Sequence, residues 1–143
     1  MARTMTDLDI RCAGHPDIAA VLRFWRTAAE GTSITDDEAG VARLITRDPG
    51  ALILAERDGR IAGTVIAGFD GWRCSVYRLA VHPDCRRQGI ATALTDAAER
   101  RFVALGGRRI DAMVLEANER AHHTWGSAGY HREDHWRRWV KPL

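Results

Sequence analysis

The chain has 143 residues, 45% of them hydrophobic, which is the size and composition of one domain with one core. Its 21 basic and 19 acidic residues give a net charge of +2, too small and too dispersed to predict a nucleic-acid or anionic-membrane partner. The start has no apolar signal core, and no apolar run approaches the ~20 residues of a membrane helix, which predicts a cytoplasmic protein. Three widely spaced cysteines predict reduced thiols, with neither a disulfide framework nor a metal site.

The first third of the chain predicts one strand and two helices. The strand covers Asp7 to Ala13, and the next segment has Pro16 at its start, apolar residues at helical spacing and Gly31 as a stop. Thr35 with a glutamate three residues later is a capping-box pattern, which predicts a second, shorter helix that ends at Pro49-Gly50.

The middle of the chain predicts a β-hairpin and a third strand. Two β-rich runs, about Ala51 to Arg57 and Arg60 to Phe69, flank Asp58-Gly59, a dipeptide typical of tight hairpin turns. The segment WRCSVYRLAVHP follows as a third central strand, and Pro83 ends it because proline cannot donate to the ladder.

The last third alternates helices and strands. A helix from Gln88 to Leu105 is closed by Gly106-Gly107, and RRIDAMVLEAN is the next strand. Asn118 caps a short helix that Gly129 stops, and YHREDHWRRWVKPL is predicted to return as one or two strands. The predicted order is β-α-α-β-β-β-α-β-α-β, an α/β (α+β) protein.

The stretch VHPDCRRQGIAT combines a strand end, two arginines and a helix start. Because several unpaired backbone N–H groups converge at a helix start, this loop is suited to an anion. Gly89 allows a ligand close to the backbone, Ala91 keeps the helix mouth small, and Arg86 and Arg87 add charge suited to a diphosphate. The alternative is a tight strand-to-helix turn with solvated arginines. Neither a P-loop nor a dinucleotide fingerprint is present.

These residues resemble the GNAT superfamily of acyl-CoA-dependent N-acyltransferases, whose pyrophosphate loop reads [R/Q]-x-x-G-x-[G/A]. Arg86, Gly89 and Ala91 match that loop, and YRLAVHP resembles the family's fourth strand. The segment from Asn118 through Ala121 to Gly129-Tyr130 resembles its last helix. The likeness spans essentially the whole chain in element order, and GFDGW with YRLAVHP looks closest to small YpeA-type bacterial members.

The resemblance implies a single N-acetyltransferase domain over residues 1–143, with its core at about 7–142. The implied GNAT fold has a central mixed, mostly antiparallel twisted sheet of about six to seven strands flanked by four helices. The implied activity is acetyl transfer from acetyl-CoA to a primary amine by direct attack in a ternary complex, without a metal. The acceptor is a small-molecule amine or a protein amino group, and the protein is a monomer or homodimer.

The resemblance also implies where acetyl-CoA binds. The pantetheine arm would pair with strand four near a bulge that splays it from strand five, a strand-four N–H would polarise the thioester carbonyl, and the glycine loop would hold the pyrophosphate. The implied cofactor-binding residues are Leu79, Ala80, Val81, Arg86, Arg87, Gln88, Gly89, Ile90, Ala91, Thr92, Asn118 and Trp125.

The catalytic positions depart from the family pattern. The usual glutamates align with Ser75 and Met113, and the usual tyrosine acid aligns with Trp125, whose indole N–H is a donor but not a useful acid. Tyr77 shares strand parity with Ser75 and is the candidate catalytic residue, and the alternative is that it packs at an edge of the core.

Several other polar residues have both a functional and a simpler interpretation. Asp70 and Glu116 are candidates to hold water or substrate; the simpler interpretations are that Asp70 caps a turn and that Glu116 is solvated. His82, His122 and His123 are expected at the surface, and no catalytic role is assigned to Trp25, Trp72, Trp136 or Trp139. The alternative function is a sensor or interaction module that binds acetyl-CoA with little or no catalysis.

Overall fold

The computed structural model describes residues 7–29, 31 and 33–143, so residues 1–6 of the predicted domain, and positions 30 and 32, lie outside the described residues. Within that range the chain forms five strands and four α-helices. In chain order they are β1 (Leu8–Cys12), α1 (Ile18–Ala28), α2 (Glu38–Arg47), β2 (Leu52–Arg57), β3 (Arg60–Phe69), β4 (Cys74–Val81), α3 (Ile90–Ala104), β5 (Ile110–Ala112) and α4 (Glu119–Ser127).

The strands form one mixed sheet in the order β1-β2-β3-β4-β5. Neighbouring strands are antiparallel except β4 and β5, which run parallel because α3 crosses over between them. The predicted fold class and the four flanking helices are therefore confirmed. None of the helices in the described part of the chain is long and apolar enough to span a bilayer.

The predicted count of six to seven strands is wrong, because the C-terminal segment forms no strand. Residues 130–143 have no regular secondary structure, and Trp136 and Trp139 are 67% and 94% exposed. Side chains three apart on a strand point to opposite faces, so these two tryptophans cannot give such a strand one apolar face.

Three predicted boundaries also shift. Asp37, not Thr35, caps α2, because its Oδ1 accepts a hydrogen bond of 2.8 Å from the Gly40 N–H. The third helix begins at Ile90 rather than Gln88, since Gly89 at its N-cap has a left-handed φ of 78°. The fifth strand keeps only Ile110–Ala112 of the predicted run, because its partner β4 diverges beyond that point.

Two apolar layers cover the two faces of the sheet. One contains Val65 and Val76 of the sheet with Leu94 and Phe102 of α3, and we call it the α3 layer. The other joins Leu54 of the sheet to side chains of α1 and α2, and we call it the α1–α2 layer. The sheet is covered on both faces, and this packing holds its strands in fixed positions.

A β-bulge in β4 determines where the sheet opens. Thr64 pairs with Ala80 and Ile66 with Tyr77, so β4 has one residue more than β3 across this stretch. Arg78 lies in it with a φ of 53°, a left-handed conformation that costs a non-glycine residue about 1–2 kcal/mol. The extra residue reverses the alternation: Val76 belongs to the α3 layer, whereas Ala80 belongs to the α1–α2 layer.

The predicted hairpin turn at Asp58-Gly59 is confirmed. Asp58 has a φ of 55° and Gly59 a φ of 72°, and positive φ at both central residues defines the turn that matches the twist of paired strands. A Cβ at Gly59 would meet no atom within 4 Å, so only backbone conformation demands glycine there.

Gly59→Val is therefore expected to lower the free energy of unfolding by about 1–2 kcal/mol, because a β-branched residue is forced into a left-handed conformation. Gly59→Asn is the matched control, since asparagine tolerates this region. Urea denaturation of both variants measures the difference. Equal stability of Gly59→Val and the unmodified protein would contradict this account of the turn.

Candidate functional site

A cleft of about 1260 Å³ opens where β4 and β5 separate. Their pairing ends at Val76 opposite Ala112, and the bulge at Arg78 directs the rest of β4 away from β5. The N-terminal half of α3 and most of α4 form the other walls. The bulge that the resemblance implied in strand four is thus present, and it coincides with the cleft.

The loop before α3, residues 86–89 at one end of the cleft, has a backbone shape suited to an anion, and we call it the anion cradle. Arg87 has a φ of 62° and Gly89 a φ of 78°, so two residues close together adopt left-handed conformations before α3 begins. The Ala93 N–H of α3 donates a hydrogen bond to the carbonyl oxygen of Gly89, the N-cap residue. The N–H groups that precede Ala93 at the start of the helix therefore have no intrahelical partner. Backbone N–H groups arranged this way favour a phosphate.

The buried residues of α3 hold this cradle in place. Ile90 and Leu94 are 1% and 0% exposed and pack in the α3 layer. A Cβ on Gly63 of β3 would lie 2.9 Å from Ile90 Cγ2 and 2.8 Å from Leu94 Cδ1, so the helix start contacts the sheet directly. The loop therefore has a rigid base.

The structure brings the predicted cofactor residues together along one cleft, with one exception. Gln88 does not line it, and its side-chain Oε1 accepts a hydrogen bond from Arg57 at the end of β2, so the role of its backbone N–H stays a prediction. The predicted residues that do line the cleft are Leu79, Ala80, Val81, Arg86, Arg87, Gly89, Ile90, Ala91, Thr92, Asn118 and Trp125.

Trp125 forms part of the cleft wall from within the core. It is 8% exposed, and its ring meets Tyr130 edge-on with centroids 4.8 Å apart. The Tyr130 hydroxyl donates a 3.0 Å hydrogen bond to Glu99 Oε1, and burial together with this carboxylate raises the pKa of Tyr130 well above its ordinary value. The phenol stays protonated at physiological pH, and this aromatic pair supplies packing.

Tyr77 lies on the opposite side of the sheet from Trp125. It pairs with Ile66 and is 50% exposed, on the face that carries α1 and α2. Its ring lies over Gly68, where a Cβ would be 3.7 Å from Tyr77 Cε2. Met113 and Leu115 also line the cleft, and their apolar side chains are exposed.

The simpler roles of the other candidates are supported by their contacts. Asp70 Oδ1 accepts hydrogen bonds of 2.8 and 2.7 Å from the N–H groups of Trp72 and Arg73, and these bonds lower the pKa of its carboxyl group. Asp70 is therefore a turn cap. Glu116 is exposed and does not line the cleft.

The histidines and tryptophans occupy varied places. His82 Nδ1 accepts from the Asp84 N–H and caps a short 3₁₀ turn, and His122 Nε2 lies 3.0 Å from the Glu116 carbonyl oxygen. His123 lines the cleft. Trp25 is buried, whereas Trp72 is 75% exposed and the two C-terminal tryptophans are also largely exposed.

Sequence reasoning missed several polar residues of the cleft. They lie on the cleft-facing side of α3, on α4 or at the turn before α3, and they are Cys85, Thr95, Asp96, Glu99 and Arg120. On α3 these residues follow Thr92 at intervals of three and four, so helical periodicity alone would have indicated them.

The described residues contain no group of three or more His, Cys, Asp or Glu side chains arranged to hold a metal ion. The cleft offers backbone N–H groups, arginines and apolar side chains.

Residues 18–130 match the family model described as the acetyltransferase (GNAT) family. An acetyltransferase of Pectobacterium atrosepticum is 38% identical over 112 residues, which cover 78% of this chain and 79% of that protein. The PaiA N-acetyltransferase of Thermoplasma acidophilum, solved in complex with coenzyme A, has a TM-score of 0.79 at 16% identity and covers 89% of this chain and 91% of its own.

A second similar structure is the diaminobutyrate acetyltransferase EctA of Paenibacillus lautus, solved with L-2,4-diaminobutyric acid and coenzyme A. Its TM-score is 0.70 at 21% identity, and the match covers 85% of this chain and 74% of that one. Fold and cleft define an acyltransferase architecture. The chain belongs to the GNAT family and is an N-acetyltransferase. The finer likeness to YpeA-type members stays a prediction.

Gly89→Val is expected to abolish coenzyme A binding in calorimetry, because a side chain at this left-handed N-cap collides with a phosphate or turns the loop N–H groups away. Gly59→Val is the matched control: it makes the same substitution at another left-handed glycine, outside the cleft, and should retain binding. Normal binding by a folded Gly89→Val variant would refute the cradle.

Arg86→Ala is expected to weaken coenzyme A binding less, by about 1 kcal/mol, because the backbone donors remain and a partly exposed arginine–phosphate contact is screened by salt. Calorimetry at two salt concentrations measures the loss. If Arg86→Ala is more damaging than Gly89→Val at physiological salt, the arginine rather than the loop backbone carries the site.

Proposed function

We propose that the protein transfers the acetyl group of acetyl-CoA to a primary amine by direct attack in a ternary complex. The observation that carries the proposal is the continuity of one cleft from the anion cradle before α3 to the bulge of β4. A cofactor with a diphosphate at one end and a reactive thioester at the other requires these two features in one groove.

The cofactor would lie along β4 with its diphosphate on the cradle. The backbone of Leu79, Ala80 and Val81 would pair with the pantetheine amides as an added strand. Asn118 Oδ1 already accepts from the Ala121 N–H as the cap of α4, which leaves the Asn118 side-chain amide N–H groups for the cofactor.

The chemistry requires an unprotonated amine. A free primary amine has a pKa near ~10.4, so one proton must leave before or during attack. The amine nitrogen then forms a bond to the thioester carbon and the carbon–sulfur bond breaks. The nitrogen releases its second proton to solvent as the amide forms, and the departing thiolate takes a proton from solvent. Tyr77 is half exposed at the cleft mouth and is proposed to hold the acceptor or a water that carries the amine proton away.

The acceptor is proposed to be a small-molecule amine, with a protein amino group as the competing class. The similar structure of EctA contains an amino acid with two amino groups as its substrate, which supports the first class. The acceptor would enter beside Tyr77, Met113 and Leu115, where the cleft opens toward the face that carries α1 and α2.

A thiol-release assay over amine classes tests the proposed function. Amine-dependent release of coenzyme A from acetyl-CoA is the expected result, with simple amines, amino acids, aminoglycosides and peptide amines as separate groups. Acetyl-CoA binding without release in any group would favour a binding module instead.

The diphosphate is expected to dominate cofactor affinity. Truncation of coenzyme A to pantetheine should weaken binding by at least about tenfold, about 1.4 kcal/mol, because the cradle loses its anion. Isothermal titration calorimetry compares the two ligands directly. Equal affinities would contradict the assignment of the loop to the diphosphate.

Tyr77→Phe is expected to lower kcat by about tenfold with little change in the KM for acetyl-CoA, because it removes a hydroxyl that acts on the acceptor. The matched control is Tyr130→Phe, since Tyr130 is the other tyrosine of the chain and its hydroxyl is bound to Glu99. An unchanged kcat for Tyr77→Phe would remove Tyr77 from the mechanism.

A further inference from the structure

Thr64 is a fully buried polar residue on β3 that faces the bulge of β4. It is 0% exposed, and its hydroxyl donates a 2.8 Å hydrogen bond to the carbonyl oxygen of Arg78. The same hydroxyl accepts a 3.0 Å hydrogen bond from Trp25 Nε1 of α1. The indole N–H, the hydroxyl and the carbonyl thus form a continuous chain from α1 through β3 to β4, which we call the Trp25–Thr64 relay.

The relay fixes the orientation of one peptide unit. The Arg78 carbonyl and the Leu79 N–H belong to the same planar peptide, and none of the described peptide bonds is cis. In a trans peptide these two groups point in opposite directions. Because the carbonyl is held toward Thr64 of β3, the Leu79 N–H points away from β3, toward the side where β4 and β5 separate.

The open side of β4 at this point is the cleft. The register with β5 ends at Val76, before Leu79 is reached, and Leu79 lines the cleft. The Leu79 N–H is therefore directed to the place where the thioester of a cofactor paired with β4 would lie.

The side chain of Arg78 is held from the same direction. Its guanidinium forms an ion pair with Asp36 in the connection between α1 and α2 and lies 5.8 Å from the ring centroid of Trp25. Trp25 itself is 6% exposed. The carbonyl group of Arg78 is thus held by Thr64 and its guanidinium by Asp36. These two contacts keep the peptide between Arg78 and Leu79 from rotating.

We propose that Thr64 and Trp25 are positioning residues for acetyl transfer, because their hydrogen-bond relay to the Arg78 carbonyl aims the Leu79 N–H at the thioester carbonyl oxygen. The inference rests on the proposed function. Negative charge develops on that oxygen as the amine attacks, and a donor oriented in advance stabilises it without reorganisation. Relay hydrogen bonds in a buried setting also polarise one another.

Thr64→Val removes the hydroxyl and retains the side-chain shape, and Thr64→Ser is the matched control because it keeps the hydroxyl. The readout is the carbonyl stretching band of bound [1-¹³C]acetyl-CoA in difference infrared spectra, which requires no knowledge of the acceptor. The band is expected below its solution frequency in the unmodified protein and in Thr64→Ser. In Thr64→Val it is expected to return toward the solution frequency.

Binding and kinetics separate this role from a structural one. The dissociation constant of coenzyme A for Thr64→Val should stay within about twofold, because the two relay hydrogen bonds do not involve the backbone N–H groups of the cradle. With an amine from the thiol-release screen, kcat should fall about tenfold while the KM for acetyl-CoA is unchanged. A folded Thr64→Val variant that loses coenzyme A affinity would overturn the inference, because Thr64 would then support the whole cleft.

Trp25→Phe provides a second variant if Thr64→Val does not fold. It removes the indole N–H but leaves the Thr64 hydroxyl on the Arg78 carbonyl, so a smaller shift of the carbonyl band in the same direction is expected. An unshifted band in the unmodified protein, or identical bands in the unmodified protein and a folded relay variant, would overturn the inference alone. Absence of any acetyl-CoA binding by the unmodified protein would instead refute the proposed function.

Discussion

The structure depends on the single extra residue in β4. A left-handed Arg78 costs about 1–2 kcal/mol, and hydrogen bonds such as that from Thr64, each contributing about 1 kcal/mol, offset that cost. With Arg78 in place, β4 turns from β5 after Val76, and the gap becomes the cleft. Without it, β4 and β5 could continue their ladder and leave no room for a cofactor between them.

The same bulge changes which face of the sheet the side chains of β4 point to. Before it, even-numbered residues of β4 such as Val76 pack in the α3 layer, and after it Ala80 packs in the α1–α2 layer. The backbone of Leu79 to Val81 therefore borders the cleft while its side chains remain in two cores. The catalytic chemistry proposed for this chain uses mainly backbone N–H groups. These groups are present even though Ser75 and Met113 stand where the family usually has glutamates.

Much of this fold was predictable from local signals. The Asp58-Gly59 turn, the Asn118 cap and the glycine before α3 are each dictated by a few adjacent residues, and their predicted roles in the fold agree with the structure. The loop motif and element order also sufficed to predict the family. The cofactor roles of the individual cleft residues and of Tyr77 stay predictions.

What could not be predicted depends on contacts distant in sequence. Nothing near Thr64 indicates that its hydroxyl meets the Arg78 carbonyl and the Trp25 indole, because the partners lie 14 and 39 residues away. Gln88 was assigned to the cofactor by its place in the motif, and that motif gave no sign that Arg57 of another strand donates a hydrogen bond to its side chain. The C-terminal segment has aromatic residues but no single apolar face, and composition alone made it look like a strand.

One groove along β4 and the start of α3 is proposed to hold the cofactor, and a backbone amide NMR titration with coenzyme A tests this most directly. The largest changes in chemical shift are expected at the amides of Leu79–Val81 and Arg87–Thr92, with Asp58 and Gly59 unaffected. Changes concentrated elsewhere, with these two stretches unperturbed at saturating coenzyme A, would contradict it.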